Sequence, residues 1–235
     1  MKRFLIFLFS VFLFGQTMLS QEIIRNDDTD QKYLEDQLYA GLGYSFILNS
    51  LDKLVQRNLS YHLHLGFIKD IPLNNKRNFG LGVGLGYGTN SYYTNTLAVE
   101  SNQGVVYRLP NSEESFNRSK LETHALEFPF EIRWRTSNPI DYKFWRIYFG
   151  LKFEYLFSRR SILRADNLNL FDGKTTFSNP NIEPWQYGLT LSFGYNTWNL
   201  HLNLGLKELL NENAIFENEP LLLRPLRIGL IFYIL

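Results

Sequence analysis

The chain has 235 residues, with 24 Lys and Arg against 23 Asp and Glu, and the resulting net charge of +1 gives no reason to expect nucleic acid as a partner. It has no cysteine, which excludes a disulfide framework, a thiolate metal site and the acylated cysteine of a lipoprotein. Aromatic residues make up 16% of the chain while mean hydropathy is only −0.20. That combination excludes a helical membrane protein and fits strands that alternate apolar and polar side chains.

Residues 1–21 begin with Lys2 and Arg3, continue through an apolar run from Phe4 to Phe14, and turn polar at Gln16. The run is too short to span a membrane as a helix and has the length of a secretory h-region, so the segment reads as a signal peptide. Residues 22–37 are polar and acidic and form a periplasmic N-terminal segment; the spacing of Asp27, Asp28, Asp30, Glu35 and Asp36 fits no EF-hand loop.

Eight strands are expected after that. Residues 38–48 set Leu42, Tyr44 and Phe46 against Gly41, Gly43 and Ser45, and residues 59–68 set Leu63, Leu65 and Phe67 against His62, His64 and Gly66. In residues 79–93, Leu81, Val83, Leu85 and Tyr87 alternate with Gly80, Gly82, Gly84, Gly86 and Gly88. A whole face of glycine marks a close approach by something bulky, read here as long arginine side chains from across the barrel. Residues 122–136 separate into His124, Leu126, Phe128, Phe130, Ile132 and Trp134 on one face and Ala125, Glu127, Pro129, Glu131, Arg133 and Arg135 on the other. Residues 144–161 alternate Trp145, Ile147, Phe149 and Leu151 with Arg146, Tyr148, Lys152, Glu154 and Arg160. Residues 184–196 and 198–206 carry Tyr195 and Trp198 on their apolar faces and Ser192 and His201 on their polar ones, and residues 224–235 end the chain with Arg227 on the polar side. Period two over such lengths means extended strand.

Each strand is apolar on one face and none is apolar on both. The links 94–121, 162–183 and 207–223 are long and alternate with the short 137–143 and the single-residue hinge at Thr197, after two links of ten residues each, 49–58 and 69–78. Long loops outside and short turns in the periplasm is the pattern of an outer-membrane barrel, and an even strand number puts both termini in the periplasm. The expected fold is therefore all-β: an eight-stranded antiparallel transmembrane barrel over residues 38–235, exported to a bacterial outer membrane, with a polar, filled lumen.

This orientation gathers Trp134, Trp145, Tyr195 and Trp198 at the periplasmic rim as an aromatic girdle. It turns Glu127, Glu131, Arg133, Arg135, Arg146, Lys152, Glu154 and Arg227 inward, where an eight-stranded barrel has room only for side chains and charges must pair. His62, His64 and His201 also point inward; a His pair at i, i+2 can chelate a metal, but histidines hydrogen-bonded in a polar lumen account for them, and neither metal nor cofactor is expected. Arg159, Arg160 and Arg164 at an outer strand end are placed to touch lipopolysaccharide phosphates or to form a solvated strand extension. His124 has no clearly placed serine or aspartate, so no enzyme is expected.

The last residues carry Gly229, Phe232 and Ile234 in a pattern that resembles the terminal signal read by the barrel-assembly machinery, except that Leu235 stands where an aromatic is usual. With Leu126-Glu127-Phe128-Pro129, Tyr148-Phe149-Gly150-Leu151 and Tyr187-Gly188-Leu189, the chain resembles the PorT-type, porin-like small outer-membrane barrels of the Bacteroidota. The resemblance implies a barrel fold and an outer-membrane location; the residues themselves favour a structural or interaction role in contact with outer-membrane lipid, lipopolysaccharide and other envelope proteins. Its alternatives are a component of a type IX-like secretion apparatus, a narrow channel, or a lipid-modifying enzyme with its site at the rim.

Overall fold

The computed structural model describes residues 37–48, 53–102, 104–136, 144–168 and 171–234. The signal peptide, the N-terminal segment up to residue 36, the 137–143 turn and Leu235 of the terminal signal lie outside the described residues.

The strands, in chain order, are β1 (Gln37–Leu48), β2 (Tyr61–Pro72), β3 (Phe79–Tyr93), β4 (Leu97–Ser101), β5 (Gly104–Arg108), β6 (Ser115–Arg135), β7 (Trp145–Leu168), β8 (Phe171–Ser178), β9 (Trp185–Tyr195), β10 (Trp198–Gly205), β11 (Ile215–Phe216), β12 (Glu219–Pro220) and β13 (Arg224–Ile234). Eight of them pair antiparallel in the order β6-β3-β2-β1-β13-β10-β9-β7, and β6 pairs with β7 to close the circle. Closure leaves the wall without a free edge, so its backbone groups are satisfied between strands. Among the described residues β4–β5, β8 and β11–β12 stand in the long connections at one end, here the loop end; links 73–78 and 196–197, the start of β1 and the end of β13 lie at the other, the terminal end.

Alternation along each strand sends its two faces to opposite sides of the wall. Outward stand Leu38 and Leu42, Leu63 and Leu65, Leu81 and Leu85, Phe130 and Ile132, Phe149 and Leu151, Leu191 and Phe193, all exposed. An apolar surface of that extent does not suit a soluble monomer. It suits lipid.

Three local features depart from the sequence reading. The β9–β10 hinge is two residues, Asn196 and Thr197, with Asn196 in the left-handed region at φ 56° that asparagine tolerates. Strand β6 starts at Ser115 and β7 runs to Leu168, so the wall strands continue beyond the barrel into a ladder that β8 extends. Within this ladder the pairing shifts between His124↔Ser158 and Ala125↔Leu156, a bulge at Phe157. The extra residue reverses the facing of the residues beyond it. Arg160, assigned inward by simple alternation, pairs instead with Glu122 and contacts His124 on the outward side.

Candidate functional site

The inward-facing side chains meet in layers. Nearest the terminal end, Asp70 on β2 binds Arg135 at 2.5 Å and Arg133 at 3.5 Å, and Glu131 lies 3.2 Å from Arg133. Arg133 also donates to Gln37 at 2.8 Å and lies over the Tyr148 ring, 4.1 Å from its centroid. In the middle, Lys152 donates to Glu127 at 2.9 Å and lies 3.5 Å from Glu154. Toward the loop end Arg227 donates from one nitrogen to both oxygens of Glu154 at 2.9 Å, to Asn203 at 3.1 Å and to the Tyr92 hydroxyl at 3.2 Å. All these charged groups are buried, so the pairing offsets a desolvation cost that would otherwise expel them. Arg146 is the exception: two of its nitrogens are buried without a hydrogen-bond partner among the described residues, and it lies over Phe144, 4.4 Å from the ring centroid.

Asp70 is the residue that sequence reading misses, because it ends the second strand at Ile68 and puts Asp70 in the turn. The signal is present all the same: Lys69, Asp70 and Ile71 continue the alternation of Phe67 and Ile68. The glycine face of β3 makes room for its neighbours rather than for arginines across the barrel. A Cβ at Gly82 would lie 2.9 Å from Cδ of Arg133 on the adjacent β6, one at Gly88 would collide with the Glu127 carboxylate, and one at Gly86 with the Tyr39 hydroxyl.

Three histidines share the middle layer. The His62 and His64 rings are 4.5 Å apart between centroids, those of His64 and His201 5.2 Å, and Nδ1 of His64 lies 3.5 Å from Glu127. Nδ1 of His62 is 2.8 Å from the Asn90 side-chain oxygen, and Nδ1 of His201 is 2.8 Å from the Ser192 hydroxyl.

At the loop end the connections do not splay. Leu54, Ala98, Tyr107, Phe177, Ile182, Leu209, Phe216 and Leu223, drawn from all four connections, are buried together with Tyr92, Leu121 and Leu156 of the wall strands. Tyr107 and Asn179 hydrogen-bond through their side chains, and burial pushes the Tyr107 phenol up, which keeps it neutral. Arg108 donates to both oxygens of Glu114, at 2.6 and 2.8 Å. The result is a folded cap with an apolar core.

The outward aromatics fall at both ends. Trp134, Trp145, Tyr195 and Trp198 are at the terminal ends of their strands, with Trp145 5.2 Å from Tyr195 between ring centroids. Phe232 is near this end too, 5.2 Å from Trp198, two residues before Ile234; Gly229 sits deeper, opposite Gly43. A second group at the loop end, Trp185 with Tyr155 at 4.8 Å, escapes the sequence reading although Trp185 opens its strand. The three arginines are separated: Arg159 donates to the Ile182 carbonyl at 2.5 Å, Arg160 is engaged with Glu122, and Arg164 alone is exposed. Arg164 stands in register between Arg118 and Lys174, both exposed, so three strands carry a row of cations that the sequence spacing could not reveal. His124 is held on both nitrogens, by the Tyr87 hydroxyl at 2.6 Å and by Arg160 at 3.0 Å.

A sequence model described as the outer membrane protein beta-barrel domain matches residues 15–211. No curated protein matches the chain. Among solved structures three chains match, one of them a triple mutant of the porin of Rhodopseudomonas blastica, with 9% identity over 86% of this chain and 100% of that chain and a TM-score of 0.20.

Proposed function

The chain belongs to the outer membrane protein beta-barrel family, and we propose that it serves there as a non-enzymatic structural or interaction subunit. In this reading a signal peptide exports it, the barrel-assembly machinery reads Gly229, Phe232 and Ile234, both termini face the periplasm, and the cap faces outward. The cap and the lipid-facing wall then dock other envelope proteins, while Arg118, Arg164 and Lys174 meet lipopolysaccharide phosphates.

The observation that carries this reading is the closure of the barrel from within. Paired charges occupy its middle, and the apolar core of the cap lies over its loop end. Together they support a filled lumen without an aqueous path rather than a channel, and the engagement of both His124 nitrogens supports a non-enzymatic rim. What is left to recognise is surface. The resemblance to PorT-type barrels makes a type IX-like secretion apparatus one candidate for the docked assembly.

The test is purification from native membranes in mild detergent, alongside conductance in planar bilayers. The reading expects a stoichiometric envelope partner, lost when the residues of the cap surface are exchanged, and no steady single-channel current. A barrel that purifies alone and conducts ions would overturn it.

A further inference from the structure

Three of the chain's four histidines converge at one level inside the barrel, although they come from strands β2 and β10, which are not neighbours. The register explains how. His62 pairs with Gly43, Gly43 with Gly229, and Gly229 with His201, so four residues form a row across four strands with no side chain at its two central positions. His64 pairs with Gly41, where a Cβ would collide with its imidazole. A cavity of about 10 Å³ lies between these rings and the glycine pair, the size of a single small occupant such as a water or an ion.

The donor atoms are prepared for a cation. The Asn90 amide donates to Thr123 at 3.2 Å, which fixes its oxygen toward Nδ1 of His62. That oxygen only accepts, so His62 carries its proton on Nδ1 and leaves an Nε2 lone pair. Nδ1 of His201 is engaged by the Ser192 hydroxyl, which can take the same accepting role. Both Nε2 atoms are buried without a hydrogen-bond partner, while Oε2 of Glu127 faces Nδ1 of His64 at 3.5 Å and its other oxygen takes Lys152. One donor atom each from His62, His64 and Glu127 lie within 4.8 Å of one another. Zinc with nitrogen ligands at about 2.0–2.1 Å brings its donors to about 3.4 Å apart, a contraction that side-chain rotation supplies. Glu127 and Glu154 together balance Lys152 and Arg227, so the surroundings are neutral before an ion enters.

We propose that His62, His64, His201 and Glu127 form a binding site for one divalent transition-metal ion of the zinc type within the barrel. Hydrogen bonding accounts for the His62–His64 pair by itself; the register adds the third imidazole and the carboxylate, Asn90 supplies the outer partner that holds His62 in one tautomer, and Ser192 supplies an outer partner for His201. Imidazole and carboxylate together suit zinc, and bind cobalt(II) as a spectroscopic substitute.

The test uses the full chain refolded from urea into detergent with zinc or cobalt(II) present, so that access to the lumen does not limit binding. Loosely held ion is removed on a chelating resin and the retained metal is counted by elemental analysis. About one zinc per chain is expected, also in His124→Gln, which changes only the outward histidine, and below about a tenth in His62→Gln and His201→Gln. Asn90→Ala keeps all four donors but frees the His62 tautomer, and should weaken cobalt(II) affinity by about 10–100-fold. The shift in gel mobility on boiling shows which variants are folded. If an inner histidine variant fails to fold, the cobalt absorption spectrum of the unmodified chain decides instead, with tetrahedral nitrogen–oxygen ligation supporting the site. An unmodified chain that retains no metal, or folded inner variants that retain as much as it does, would overturn the proposal and leave the cavity to a water molecule.

Discussion

Glu154→Gln tests the inner charge network at its most connected point. Its carboxylate receives Arg227 through both oxygens at 2.9 Å and lies 3.5 Å from Lys152, with all three side chains buried. The amide keeps the shape and removes the charge. Lys152 retains Glu127 at 2.9 Å, but Arg227 is left with neutral acceptors only, the amide oxygen and those of Tyr92 and Asn203. Leaving a buried charge without its partner costs about 3–5 kcal/mol. With a urea dependence of about 2 kcal/mol per molar, the unfolding midpoint falls by about 1.5–2.5 M. Arg227→Met should cost less, because Glu154 keeps Lys152, and the double variant should cost less than the sum of the two, as contacting residues do. The assay is urea unfolding in lipid vesicles, followed by tryptophan fluorescence and by heat-dependent gel mobility. A midpoint shift below about 0.5 M for Glu154→Gln, or additive losses in the double variant, would refute the idea that this pair is buried and mutually compensating.

Depth in the membrane should be readable on β13. Leu230, which pairs with Leu42 and Leu200, lies deeper than Ile234 at the terminal end, so Leu230→Lys should cost about 2–4 kcal/mol in vesicle refolding against about 0–1 for Ile234→Lys; equal costs would contradict the lipid-facing assignment. Phe232 stands nearer the Ile234 end, beside Trp198, so Phe232→Asp tests the insertion signal more than the cost of burial. In the cap, Tyr107→Ala removes a buried ring and its bond to Asn179 and should lower cap stability by about 3–5 kcal/mol. Limited proteolysis should then cut the loop end while the barrel keeps its heat-dependent mobility; an unchanged cleavage pattern would show that the cap does not depend on Tyr107.

That Tyr107 matters at all changes how the long loops are understood. From sequence, residues 94–121 read only as a long outer loop; in the fold Leu97, Ala98 and Tyr107 are buried, so shortening the segment uncovers apolar surface. The difference is one of range. A loop's partners are other loops, distant in sequence, and no periodicity announces them.

What the sequence alone determined was everything that depends on alternation. Period two in each strand gave eight strands and their inward and outward faces, and the loop lengths gave their antiparallel order, because a pleated strand has no other way to divide its side chains. Tertiary structure decided what alternation cannot carry. The bulge at Phe157 turned Arg160 outward, since one extra residue reverses every facing beyond it. The register brought Asp70 to Arg133 and Arg135, and put His62 level with His201 across two glycines. Which residues face inward is a property of each strand by itself; which of them meet depends on how the strands are staggered around the closed wall, and only the folded barrel sets that stagger.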